Sequence, residues 1–162
     1  MAGRIKAGEG ALIGNAGEYF VVAELLKRGC IASLTPRNSP GFDILATKGS
    51  KTTRIRVKTK TEGCDKWQWN AKKDGSIFRE LSENNDFTVM VNLAMDYRDM
   101  AFYLVPTSFI NDILVRAFDV WLRTPGENGR PHSVTNKKRD IKLQDYEDIL
   151  LEYKDNWDIL WK

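Results

Sequence analysis

The chain has 162 residues, 42% apolar and 29% charged, which supports a single globular domain over residues 1–162 with a sizeable core and excludes a disordered or fibrous chain. No apolar run reaches the roughly 18 residues that span a bilayer, residues 1–6 carry no apolar signal core, and Cys30 and Cys64 with a single histidine are too few for a structural zinc site, so a cytoplasmic protein with reduced thiols and no membrane partner is expected. The net charge of +3 is uneven, +7 over residues 1–81 and −4 over residues 82–162, and a basic half of this kind points to a polyanionic partner, nucleic acid foremost.

Residues 11–28 lack proline and lie between Gly8-Glu9-Gly10 and Gly29, which predicts a helix. Leu12, Ala16, Phe20, Ala23 and Leu26 recur at helical spacing and are expected in the core, while Gly14 and Gly17 mark a late start or close packing. Residues 30–35 read as a strand, and residues 36–41, with two prolines and a glycine, as a loop. Residues 42–47 and 52–60 read as a hairpin turning at Gly49-Ser50. On its second strand Thr53, Ile55, Val57 and Thr59 alternate with Arg54, Arg56, Lys58 and Lys60, so four cations share one face.

Residues 62–75 look irregular, and residues 76–83 suggest a short helix. Strands follow at 87–93 and 102–105, then a helix at 109–123, a polar insertion at 124–139 expected to be flexible, and a last helix at about 144–160. The order predicts an α/β domain with a mixed sheet flanked by helices, its core at about 11–106 and a C-terminal helical elaboration at about 107–162.

Three residues within this frame suggest chemistry. Glu18 shares a helix stripe with Ala11, Gly14, Val21, Val22 and Leu25, which turns its carboxylate toward the sheet, where it needs a cation, a metal or a donor. Glu24 has Lys27 and Arg28 three and four positions on and reads as an ordinary surface pair. Asp43 opens one strand of the hairpin and Lys58 lies in the next, so the hairpin can bring both to one sheet edge with Glu18 laid across them. Phosphodiester hydrolysis needs carboxylates to hold Mg²⁺, and a nearby lysine can orient the water or stabilise developing negative charge.

Gly14-Asn15-Ala16-Gly17-Glu18, then Phe42-Asp43, then Val57-Lys58-Thr59 resembles the PD-(D/E)XK nuclease superfamily, in particular its small members similar to archaeal Holliday-junction resolvases and intron-associated homing endonucleases. The resemblance covers residues 11–93 and implies a restriction-endonuclease-like core and an endonuclease acting on DNA as a homodimer or higher homo-oligomer. It also implies Mg²⁺ (or Mn²⁺) held by Glu18 and Asp43, with Lys58 assisting the water.

Where that family usually carries Glu, Asp or Gln two residues before the lysine, this chain has Arg56. A guanidinium stays protonated and repels a divalent cation. Arg56 is therefore expected to pair with Glu18 or Asp43, or to turn toward a phosphate, and to leave cleavage slow or absent. Three alternatives stand open: a metal held by Glu18, Asp43 and backbone or water; substitution by Glu62 or Glu9; or a catalytically silent DNA-binding relative. A protein-interaction module using the acidic C-terminal helix is a further reading.

Arg54, Lys60, Lys66 and Lys73 are expected to form one basic, DNA-contacting surface, with Trp67 and Trp69 placed in a basic loop to stack on bases or pack on the core.

Overall fold

The computed structural model describes residues 8–37, 39, 41–82 and 84–162. The reading of residues 1–6 therefore lies outside the described residues, as do Asn38 and Pro40 of the expected loop and Glu83 of the expected short helix. The elements run α1 (Glu9–Lys27), β1 (Ile31–Leu34), β2 (Ile44–Lys48), β3 (Lys51–Thr61), β4 (Lys66–Asn70), β5 (Asp86–Leu93), β6 (Ala101–Pro106), α2 (Thr107–Arg123), β7 (Lys138–Lys142) and α3 (Leu143–Leu150), followed by 3₁₀ turns at Leu151–Tyr153 and Trp157–Trp161.

Five strands form a mixed sheet in the order β1-β2-β3-β5-β6. Its one parallel pair is β3 with β5, running from Arg54 opposite Asp86 to Thr61 opposite Leu93. A parallel pair needs a long crossover, and part of that crossover is β4, which pairs with the distant β7 in a separate two-stranded sheet. The mixed α/β class and the flanking helices are thus present as expected.

Alternation along the central strands feeds two cores. Ile55 and Val57 of β3 and Val89 and Val91 of β5 pack under α1, with Trp157 and Leu160 closing that side. Met90 of β5 and Tyr103 of β6 face the other way, into a core with Trp67, Trp69, Ile110, Leu114 and Ile141. No helix among the described residues is long and apolar enough to cross a membrane.

Of the two stripes of α1 expected to face inward, the one carrying Glu18, Val21 and Leu25 meets the sheet, and the one carrying Leu12 does not, apart from Phe20. Gly17, Val21, Glu24 and Leu25 are buried, whereas Leu12, Ala23 and Leu26 are exposed. Gly17 decides the docking, because a Cβ at this position would collide with Thr59 Oγ1 of β3. Gly14 has open space around it and plays no such part. Glu24 is buried rather than on the surface, and it keeps its charge partners: Lys27 and Arg28 donate to its carboxylate, as does the Tyr97 hydroxyl.

Three other segments depart from expectation. The supposed irregular stretch contains β4, and the polar insertion ends in its partner β7. Residues 76–82 form bends without a helix. The long C-terminal helix is broken, since Tyr146 has non-helical backbone angles inside α3 and the chain continues in short 3₁₀ turns.

Candidate functional site

The site grows from a mismatch in strand length. β2 pairs with β3 only as far as Ile44 opposite Ile55, while β3 continues to Thr61 on its β5 side. Beyond Ile55 the edge of β3 that would face β2 has no strand partner among the described residues. Asp43 fills the first gap: its backbone N–H donates to the Ile55 carbonyl at 2.9 Å, and its Oδ2 accepts from the Val57 backbone N–H at 2.7 Å. The strand before it is tied in as well, as Thr35 donates through both its backbone N–H and its hydroxyl to the Asp43 carbonyl. Asp43 is thereby pinned at the head of the hairpin, one residue from Lys58.

Glu18 approaches the same edge from α1, carried there by the close Gly17–Thr59 contact. Glu18 and Asp43 together line a cleft of about 280 Å³, along with Asn15, Tyr19, Arg37 and Phe42. Burial raises the Glu18 pKa, the neighbouring Asp43 charge raises it further, and Arg37 pulls it back. Burial likewise raises the Asp43 pKa, against the Val57 hydrogen bond and the charges of Arg56 and Lys58. Two partly desolvated, mutually repelling carboxylates on one cleft are an electrostatic demand for a cation.

Lys58 leaves β3 on the face opposite α1, with its Nζ 5.7 Å above the Trp69 ring. Burial lowers its pKa and the Asp43 charge raises it. Among the described residues it forms no ion pair within 4.0 Å with a carboxylate. Asp43 is therefore the hinge of the arrangement: it interacts electrostatically with Glu18 on one side of the sheet edge and with Lys58 on the other, while Glu18 and Lys58 meet only through it.

Arg56 corrects the sequence reading. It pairs with neither Glu18 nor Asp43 and instead grips Asp86 of β5, its Nε donating to Oδ1 at 3.1 Å and its Nη2 to Oδ2 at 3.0 Å. Nη2 also donates to the Arg79 carbonyl at 2.9 Å, and the guanidinium lies over Phe78. A bidentate carboxylate partner offsets part of the charge that was expected to repel a metal, while Arg56 still acts electrostatically on Asp43. Asp86 was missed because the signal was register, not composition: the parallel pairing sets Arg54 opposite it.

The expected basic surface is dispersed. Lys60 is buried, donating to Asn92 Oδ1 and the Cys64 carbonyl and lying over Trp67. Trp67 is 1% exposed and its Nε1 donates to the Val91 carbonyl, so it is a core residue rather than a base-stacking one. Lys66 pairs with Asp140 at 2.9 Å on the β4–β7 sheet, Arg54 joins Asp86 at 3.4 Å, and Lys73 is exposed in a turn. Arg37 is the cation of the cleft itself, and nothing in the sequence marked it out.

The carboxylate pair fits a hard divalent cation, because Mg²⁺ retains several waters and takes one or two protein carboxylates with substrate phosphates. Among the described residues no third His, Cys, Asp or Glu joins them, so the exposed Glu9 and Glu62 do not complete the set. Glu18 and Asp43 would hold the ion, with waters filling its remaining positions.

No family model matches the chain, and no curated protein matches it. In structure it is similar to a bacterial homing endonuclease at 14% identity, over 93% of this chain and 89% of that one, with a TM-score of 0.49. It is also similar to the Holliday junction resolvase of the archaeal hyperthermophile Archaeoglobus fulgidus at 16% identity, over 83% of this chain and 87% of that one, with a TM-score of 0.44.

Proposed function

We propose that the chain is a metal-dependent endonuclease that hydrolyses phosphodiester bonds of DNA, with Glu18 and Asp43 holding Mg²⁺ (or Mn²⁺). The observation that carries this reading is Asp43, fixed by Val57 N–H at the open edge of β3 and coupled in charge to Glu18 and Lys58. A divalent ion bound there acidifies water and neutralises phosphate oxygens.

The protein's own groups supply the rest. The Val57 bond fixes one Asp43 oxygen, and Asp43 lines the cleft. Lys58 lies on the face of β3 opposite the cleft, over Trp69, and with its pKa drawn down by burial it contributes through its charge on Asp43. Arg37 lines the cleft with Glu18 and Asp43 and binds the phosphate next to the scissile one. Arg56 takes no ligand position: tied to Asp86, it supports the strand that presents Lys58.

Incubating supercoiled, linear duplex and branched DNA with the full chain in Mg²⁺, in Mn²⁺ and in chelator tests the reading. Metal-dependent cleavage lost in Asp43→Asn is the expected result. Salt-sensitive DNA binding without cleavage would replace it with a silent binding protein, and absence of both would remove DNA as the partner.

A further inference from the structure

On the side of the sheet away from α1, α2 and β7 enclose a second cleft of about 220 Å³. Phe118, Trp121, Lys138 and Arg139 line it. It is smaller than the roughly 300–1,000 Å³ of pockets that enclose drug-sized ligands, so it suits one small group rather than a whole cofactor.

Arg139 is the unusual residue of this cleft. It is only 8% exposed, yet among the described residues it has no carboxylate within 4.0 Å, whereas a buried cation is ordinarily paired. Its Nη1 donates to the Asn136 and Lys138 carbonyls at 2.7 and 2.9 Å, and its guanidinium lies 3.3 Å from the centre of the Phe118 ring. Nε and Nη2 have no hydrogen-bond partner among the described residues, but neither is sealed from solvent, which leaves them to the cleft that Arg139 lines. The carboxylates nearby are engaged elsewhere, Asp140 with Lys66 and Gln68, and Asp119 with Arg123.

Beside this cation stands a ladder of rings. Phe118 and Trp121, three apart on α2, stack with their centres 5.5 Å apart, and His132 stacks on Trp121 at 3.9 Å. Gly126 makes room for the last ring, because a Cβ there would crowd His132 Cε1 at 3.3 Å. The insertion expected to be flexible is thus folded against α2 at this point. A guanidinium with open donors recognises phosphate, and a ring stack recognises a base. The carboxylates of an acidic peptide would use the cations and leave the rings without a role.

We infer that the α2–β7 cleft is a second nucleic-acid contact, taking a strand's phosphate on Arg139 and Lys138 and an unpaired base at the His132 end of the ring ladder. The inference rests on nucleic acid being the partner, as proposed above, and not on the metal cleft. Lys58 lies between the two sites: its Nζ is over Trp69, the residue opposite Arg139 in the β4–β7 register. Because stacking needs an unpaired base, the contact selects DNA with an unpaired stretch over uninterrupted duplex.

Fluorescence anisotropy of the full chain in chelator, with a labelled single-stranded thymidine oligonucleotide and with a hairpin duplex, tests this without the metal cleft. The single strand is expected to bind more tightly and to quench tryptophan emission, the quench being lost in Trp121→Phe. His132→Ala should weaken single-strand binding about fivefold or more, the worth of one base stack on an aromatic ring, and leave the duplex unaffected. Lys138→Glu, at an exposed position, should weaken both and lower the salt slope by about one. Single-strand binding indifferent to both substitutions overturns the inference, as does a response to polyglutamate in place of the oligonucleotide. Metal-dependent cleavage together with that indifference overturns this inference alone. Binding weakened in both variants, with no cleavage by the unsubstituted chain, upholds it and overturns the nuclease reading.

Discussion

Arg56 and Asp86 lie on neighbouring parallel strands and share two hydrogen bonds, at 3.1 and 3.0 Å, with both side chains almost fully removed from solvent. Removing one partner of a buried pair strands the other charge, at a cost of about 3–5 kcal/mol. Arg56→Gln and Asp86→Asn are each expected to destabilise the fold on that scale, and the double substitution by less than their sum. Denaturant unfolding of the four proteins measures it. Arg56→Glu alone sets two carboxylates together and does not restore a metal ligand; only with Asp86→Asn should metal affinity rise.

Gly17 and Thr59 set how closely α1 lies on β3. Gly17→Ala drives a methyl group into Thr59 Oγ1, a buried hydroxyl with no hydrogen-bond partner among the described residues, and overpacking of this kind costs about 1–3 kcal/mol. Thr59→Ala should recover part of that loss. Thermal melts of the single and double variants check the stability, and metal titration checks whether Glu18 has moved.

The carboxylate pair predicts how stability responds to pH and metal. Burial holds the folded-state values of Glu18 and Asp43 above those of the unfolded chain. The folded protein therefore binds more protons than the unfolded one in the window between the ordinary carboxylate range and those raised values. These two groups make stability fall as pH rises through that window, and the cost is complete above it. Asp43→Asn, whose carbonyl oxygen still accepts from Val57 N–H, and Glu18→Gln should each raise the melting temperature at neutral pH and flatten this slope. Mg²⁺ should raise the melting temperature of the unsubstituted chain and leave the double variant unmoved.

Lys60 and Trp67 give a contrast with surface cations. Charge reversal of Lys60, buried between Asn92 and the Trp67 ring, should unfold the protein or lower its melting temperature sharply. Arg37→Ala should leave the melting temperature within a degree or two, as expected of an exposed site, while weakening DNA binding and its dependence on salt.

The strands and the helices were legible where period and punctuation agreed: β2 and β3 around Gly49-Ser50, and α2 after Pro106. The β4–β7 pairing was not, because its hydrogen bonds join Trp69 to Arg139 across seventy residues of chain and local pattern carries no trace of such a partner. The face of α1 was legible only as two candidates, for a different reason. Apolar residues surround the helix, so periodicity offered two stripes, and the choice fell to Gly17, which fits against Thr59 where a larger residue cannot. Asp43 and Lys58 stood out through their neighbours in the hairpin, but the Arg56 partner depended on β5 register, which sequence spacing does not give.

The proposed function depends on Glu18 and Asp43 together holding a divalent ion at the open edge of β3. A crystal structure of the full chain grown with Mn²⁺, with the ion located by its anomalous scattering, tests it most directly. The account predicts one ion in the cleft touching carboxylate oxygens of both Glu18 and Asp43, absent from Asp43→Asn crystals grown the same way. A cleft without manganese at saturating concentration, or an ion bound elsewhere with Glu18 and Asp43 apart, would contradict it.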